Sequence, residues 1–80
     1  MIVIGGKNSA NTSRLAEISQ DAGVKTYHIE TEDELDLREI SRYESIGVTG
    51  GASTPDWMVD RVLKKLKSLN PMIASWQNKN

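Results

Sequence analysis

The fold is decided at the start of the chain, by the stretch "MIVIGGKNSANTSRLAEI" (residues 1–18). Its continuous apolar run, Met1–Ile4, predicts a strand buried on both faces. Two glycines end the run, and small hydroxyl and amide residues then lead into a helix that Ser9 or Asn11 can cap. A second stretch, "SIGVTGGASTPDWMVDRVL" (residues 45–63), repeats the same order of apolar run, two glycines, small polar residues and helix. Two such junctions in one short chain indicate that both serve the same structural or functional role.

The segments around these junctions alternate between strand and helix signals. "VKTYHIE" (residues 24–30) predicts a second strand, and Thr31 with Glu34 forms a capping box for a short acidic helix. Ile46–Val48 predicts a third, very short strand. Thr54 is then the expected N-cap of the last helix, with Pro55 at its first position.

This alternation predicts an α/β fold, because strands that alternate with helices pair in parallel. We expect a small three-layer domain, with a three-stranded parallel sheet in the order 2-1-3 and helices on both faces. The lobe is expected to span residues 1–70. The last segment, "PMIASWQNKN" (residues 71–80), has no clear period and predicts a tail or linker.

Composition narrows the function classes. The chain has 80 residues, a net charge of −1 and no cysteine. The near-neutral charge gives no argument for a nucleic-acid partner, and no apolar stretch approaches the roughly 20 residues of a membrane span. Without cysteine the segment has no disulfide, no thiolate ligand for a metal or Fe–S cluster, and no thiol nucleophile.

The two junctions predict an anion site. Ligands of open parallel sheets bind beyond the carboxyl ends of the strands, where the winding reverses, and in the order 2-1-3 this point lies between strands 1 and 3. Segments 5–12 and 50–54 should therefore lie side by side, each with free N–H groups and the positive end of a helix dipole. Phosphate or diphosphate is the most plausible ligand, with Lys7 and Arg14 as reserve cations. Ordinary helix caps would produce the same residues, so a purely structural interpretation stays open.

Three motifs, in this order, carry a resemblance to a known family: "GGKNSANTSRL" (5–15), "YHIET" (27–31) and "GASTPDW" (51–57). The chain resembles the C-terminal part of the LytB family of 4-hydroxy-3-methylbut-2-enyl diphosphate reductases, from about residue 1 to residue 66. The resemblance implies a three-lobed α/β enzyme with a central [4Fe-4S] cluster. That enzyme makes isopentenyl and dimethylallyl diphosphate by reductive dehydroxylation, in the non-mevalonate isoprenoid pathway.

The resemblance also implies which residues hold the substrate diphosphate. Ser9 and Asn11 come from the family's Ser-x-Asn segment, and Ser53 comes from its Gly-Ala-Ser-x-Pro-Asp segment. Many members have serine where this chain has Ala10, which leaves only the main-chain N–H of Ala10 for the ligand.

The family's cluster cysteines and catalytic glutamate lie upstream of the matched region, so the resemblance implies no catalytic or metal residue here. We expect a fragment that is inactive alone and is completed by the missing lobes, an allylic diphosphate substrate and an external electron donor in the cytoplasm. His28 is expected to be a packed or surface residue. The alternatives are a free-standing flavodoxin-like phosphate-binding domain without catalysis and an interaction domain whose junction residues only cap helices.

Overall fold

The computed structural model describes residues 1–76, and a parallel sheet runs through the middle of the fold. The strands are β1 (Ile2–Ile4), β2 (Tyr27–Ile29), β3 (Ile46–Gly50) and β4 (Ala74–Trp76). The helices are α1 (Ala10–Asp21), α2 (Leu37–Ile40) and α3 (Asp56–Lys67), with a 3-10 turn at Glu32–Glu34. The strand order is β2-β1-β3-β4, and every neighbouring pair is parallel.

The predicted α/β class, the parallel pairing and the central place of β1 are confirmed. The predicted number of strands is wrong, because the sheet has four strands and not three. The extra strand lies in the segment 71–80, where three residues are too few to show an alternating pattern. Its pairing begins with the N–H of Ile46, which donates to the Ile73 carbonyl at 2.6 Å. Part of the predicted tail or linker (residues 71–80), residues 77–80, lies outside the described residues, and the division of the chain at residue 70 stays a prediction.

The main apolar core covers one face of the sheet. Alternate residues of β1, Ile2 and Ile4, are fully buried there together with the apolar side of α3. Val3 and the α1 residue Ala16 are also buried but lie outside this cluster. Because successive strand residues point to opposite faces, α1 covers the second face. β1 is therefore enclosed on both sides, which is why its sequence is uniformly apolar.

The ends of the first three strands are level. Ile4 pairs with Ile29 on one side and with Gly50 on the other. The loops that leave β1 and β3 therefore start at the same edge of the sheet and next to each other. This is the edge at which the sequence predicts an anion site.

Ile73 tests whether the segment before β4 belongs to the core. Its side chain is only 2% exposed, whereas that of its neighbour Met72 is 83% exposed. We expect Ile73→Ala to lower the free energy of unfolding by about 2–4 kcal/mol, because truncating a buried isoleucine leaves a cavity. Met72→Ala should change it by less than about 0.5 kcal/mol. Urea unfolding of both variants makes the comparison, and equal effects would show that residue 73 is not part of the core.

Candidate functional site

The two glycine junctions meet at one carbonyl group, that of Ile4 at the end of β1. The N–H of Gly51 donates to this oxygen at 3.1 Å, and the Thr54 hydroxyl donates to it at 2.7 Å. The loop after β3 is therefore hydrogen-bonded to the end of β1 through both its first and its last residues. The predicted proximity of the two junctions is present in the structure.

The helix α1 begins with a side-chain cap. Ser9 is the N-cap, and its Oγ accepts from the N–H of Thr12 at 3.3 Å. Ala10 is the first helical residue and is exposed. The first turn contains no acidic residue, so the positive end of the helix dipole is not offset by a carboxylate there. An anion near Ala10 would meet this positive end directly.

Asn11 connects the two junctions. Its Oδ1 accepts from the N–H of Ala52 at 2.9 Å, across 41 positions of sequence. Only the amide oxygen can accept from an N–H, so this bond fixes the orientation of the amide group. The NH₂ group of Asn11 is then available as a double donor beside the loop that carries Ser53. Ser9, Ala10, Asn11 and Ser53, the residues named from the sequence, are therefore grouped at one edge of the sheet.

Thr12 lies between the two junctions, and sequence reasoning missed it. Its side chain is fully buried, and its Oγ1 has no hydrogen-bond partner among the described residues. A Cβ added at Gly5 or at Gly51 would collide with this Oγ1 atom. The sequence signal was present, since a glycine at each of two adjacent strand ends makes room for one side chain between them.

The start of α3 differs from the prediction. Pro55 is the N-cap and α3 begins at Asp56, with no side-chain cap. Thr54 was expected to be this cap, but its hydroxyl donates to Ile4 instead, where it satisfies a buried carbonyl. The Asp56 carboxylate sits in the first turn and partly offsets the dipole of α3. The helix dipole contribution to the site therefore comes mainly from α1.

The reserve cations expected from the sequence are engaged elsewhere. Lys7 Nζ lies 2.7 Å from Glu34 Oε1, and Arg14 pairs with Glu17 at 3.7 Å on the outer surface of α1. The bond from Lys7, followed by the N–H groups of Glu30 and Thr31, lowers the pKa of Glu34. The same bond raises the pKa of Lys7. Lys7 is thus held at the rim of the site by a carboxylate.

His28 lies on β2 and contacts the backbone of the first junction. Its Nε2 is 3.1 Å from the Gly5 carbonyl oxygen. Because a carbonyl can only accept, this contact places the proton on Nε2. The ring is half-buried, so His28 is a packed residue that orients the Gly5 peptide.

A cavity of about 270 Å³ lies at the opposite edge of the sheet, and Met1, Tyr27 and Tyr43 contribute to its lining. The hydroxyl of Tyr27 lies 3.4 Å from that of Tyr43 and donates to Glu39 at 2.8 Å. These contacts raise the pKa of Tyr27. The cavity is at the amino ends of the strands, away from the helix N-terminus and from the switch point. It is therefore a poorer candidate for an anion.

No thiolate is available in this chain, because the sequence contains no cysteine. Among residues 1–76, no three His, Asp or Glu side chains are grouped in a way that would hold a metal ion. The donor set of this chain therefore does not fit a [4Fe-4S] cluster. In the same range, no helix has both the length and the apolar character needed to cross a membrane.

The fold and the edge described above define a class of protein: a doubly wound α/β domain with a candidate oxyanion site at the switch point of its sheet. The family model described as "LytB protein" matches residues 1–67. The chain belongs to the LytB family.

Individual relatives carry one name, 4-hydroxy-3-methylbut-2-enyl diphosphate reductase. The chain is 51% identical over 70 residues to the protein of Geobacter sulfurreducens, with 88% of this chain and 25% of the relative covered. It is 53% identical over 70 residues to the protein of Trichlorobacter lovleyi, with the same shares covered. For Clostridioides difficile the identity is 48% over 69 residues, with 86% of this chain and 24% of the relative covered. The chain thus spans about a quarter of the length of the curated relatives it matches.

The glycines around Thr12 give a direct test of the packing. We expect Gly51→Ala to lower the free energy of unfolding by about 1–3 kcal/mol, because the new methyl group overlaps Thr12 Oγ1. Gly6→Ala is the matched control, since the nearest atom to a Cβ there is Glu30 Oε2 at 3.7 Å. It should be neutral within about 0.5 kcal/mol. Thr12→Ala should relieve the cost of Gly51→Ala in the double variant, and strictly additive effects in urea unfolding would contradict the contact.

The Lys7–Glu34 pair predicts a pH dependence. The pKa of Glu34 is lowered in the folded state, so its contribution to stability is present above its ordinary pKa of about 4.3 and is lost as the pH falls through the folded pKa. We expect Lys7→Gln to raise the pKa of Glu34, as measured from its side-chain carboxyl resonance by NMR. Lys25→Gln should leave it unchanged. A Glu34 pKa that is insensitive to Lys7→Gln would mean that the pair does not persist in solution.

Proposed function

We propose that this chain is the diphosphate-binding lobe of a 4-hydroxy-3-methylbut-2-enyl diphosphate reductase. The observation that carries the proposal is the bond between Asn11 Oδ1 and the N–H of Ala52, at 2.9 Å. It joins the two motifs that the family resemblance names and leaves the NH₂ group of Asn11 next to the loop that carries Ser53. Further support comes from the names of the relatives, which specify a diphosphate substrate.

Each residue of the proposed cradle has a definite part. The Ser9 hydroxyl accepts from Thr12 N–H and keeps its own proton to donate to a phosphate oxygen. The N–H of Ala10, in the first turn of α1, donates along the helix dipole. Asn11 adds its NH₂ group, and Ser53, which is exposed on the facing loop, closes the cradle from the other side.

The part of this lobe in the reaction is to bind and orient. Neutral donors and a helix N-terminus hold the diphosphate, and the allylic carbon chain extends toward the remaining lobes. None of the four proposed binding residues has a titratable side chain in the ordinary pH range, so we assign them no proton transfer. A [4Fe-4S] cluster, which would supply electrons for reductive dehydroxylation, would be bound by cysteines outside this chain.

The proposal extends to the setting of the whole enzyme. We propose that the missing lobes of the same polypeptide enclose the diphosphate and that an external electron donor reduces the cluster. A cytoplasmic location and a role in the non-mevalonate isoprenoid pathway accompany this assignment. On its own, the 80-residue chain is expected to have no reductase activity, because it contains no cysteine to bind the cluster.

An NMR titration of the 80-residue chain with inorganic diphosphate tests the cradle. We expect saturable shifts confined to residues 5–12 and 50–54, with a dissociation constant on the order of millimolar because the open site stays hydrated. Asn11→Asp should abolish them, since it keeps an acceptor for Ala52 but replaces a donor by a negative charge. Ser53→Ala should weaken binding by about tenfold, the value of one hydrogen bond to a charged group.

Ser19→Ala, on the same helix away from the site, is the matched control and should bind as the unmodified chain does. Chloride at equal ionic strength controls for salt. The proposed cradle is wrong if diphosphate at several tens of millimolar gives no shifts beyond those seen with chloride.

A further inference from the structure

The Thr12 hydroxyl is a buried group that the site described so far leaves unexplained. Thr12 is in the first turn of α1, and its side chain has no exposed surface. Its Oγ1 has no hydrogen-bond partner among residues 1–76. Threonine hydroxyls in helices can satisfy themselves by donating to a backbone carbonyl one turn earlier. Here the hydroxyl points instead toward the glycines at the two strand ends.

The surroundings of this hydroxyl are unusually restricted. Gly5 and Gly51 each lack a Cβ at a position where one would overlap Oγ1. The space between the two strand ends therefore exists only because both residues are glycine. A valine would fill the same space with a methyl group in place of the hydroxyl and would not leave a buried donor unsatisfied. The chain keeps a polar atom where stability alone favours an apolar one.

The position of the hydroxyl relates it to the cradle. The next residues along the chain from the two glycines, Gly6 and Ala52, are both exposed at the rim. Asn11, the neighbour of Thr12, already contacts Ala52 across this gap. The two glycines that flank the hydroxyl, Gly5 and Gly51, add no side chain between it and the rim. The hydroxyl therefore lies between the two loops that form the proposed cradle.

We infer that the Thr12 hydroxyl is a further binding donor of the diphosphate cradle and that it gains its partner when an oxyanion is bound. This inference rests on the proposed function. If the inference is correct, the hydroxyl has opposite effects on the stability of the free chain and on its affinity for the anion. The hydroxyl lowers the stability of the free lobe, as an unsatisfied buried donor does, and raises the affinity for the anion.

Thr12→Val separates these two properties, because it removes the hydroxyl and keeps the shape of the side chain. In the absence of diphosphate, the variant should unfold at the same temperature as the unmodified chain or at a higher one. With inorganic diphosphate, its dissociation constant in the NMR titration should rise about tenfold or more, because the variant loses one hydrogen bond to a charged group. A residue with a merely structural part would change both properties in the same direction or leave affinity unchanged.

A pair of further variants tests the inference even if the Thr12→Val protein does not fold. Thr12→Ser and Thr12→Ala share the loss of the methyl group and differ only in the hydroxyl. The serine variant should bind inorganic diphosphate at least fivefold more tightly than the alanine variant. Equal affinities within this pair, or unchanged affinity in Thr12→Val, would overturn the inference while the loss of binding in Asn11→Asp still supports the cradle. Absence of saturable binding by the unmodified chain would overturn the proposed function and this inference together.

Discussion

The structure depends on one shared acceptor, the carbonyl oxygen of Ile4. This oxygen ends the central strand and receives two donors from the loop after β3, the N–H of Gly51 and the hydroxyl of Thr54. A buried carbonyl with two lone pairs is thereby fully satisfied. Because both donors come from one short loop, its path over the end of β1 is determined. The glycine at 51 and the close approach of Thr12 follow from that path.

The electrostatics of the site are those of neutral donors rather than of a cationic pocket. Lys7 is paired with Glu34, and Asp56 partly offsets the dipole of α3. What remains is the N-terminus of α1, which has no acidic residue in its first turn. Hydrogen bonds of this kind are directional, so they discriminate by shape more than by charge. Their contribution increases when water is excluded, which is the effect that the proposed function assigns to the missing lobes.

The sequence predicted the features that rest on long or repeated patterns. The uniformly apolar run Met1–Ile4 indicated the buried central strand, and the doubled glycine junctions indicated which strand ends meet. It failed where the determining contact is distant. β4 has only three residues, and what defines it as a strand is its pairing with β3. In that pairing Ala74 lies opposite Ile46, about 28 positions earlier in the chain. Thr54 has the composition of a cap, but a carbonyl 50 positions away competes for its hydroxyl. The diphosphate assignment of Ser9, Ala10, Asn11 and Ser53 came from resemblance, and it remains a proposal.

The bond between Asn11 and Ala52 joins residues 41 positions apart, and this separation bears on how the site comes into being. Neither junction makes the cradle alone: a peptide with the first junction would contain a helix cap, and one with the second would contain a turn. Bringing the two junctions together closes a loop of intervening chain, and the parallel pairing of β1 with β3 offsets the conformational entropy that this closure costs. The proposed cradle therefore needs both junctions and the sheet that brings them together, and a piece of the chain that lacks either junction lacks the cradle.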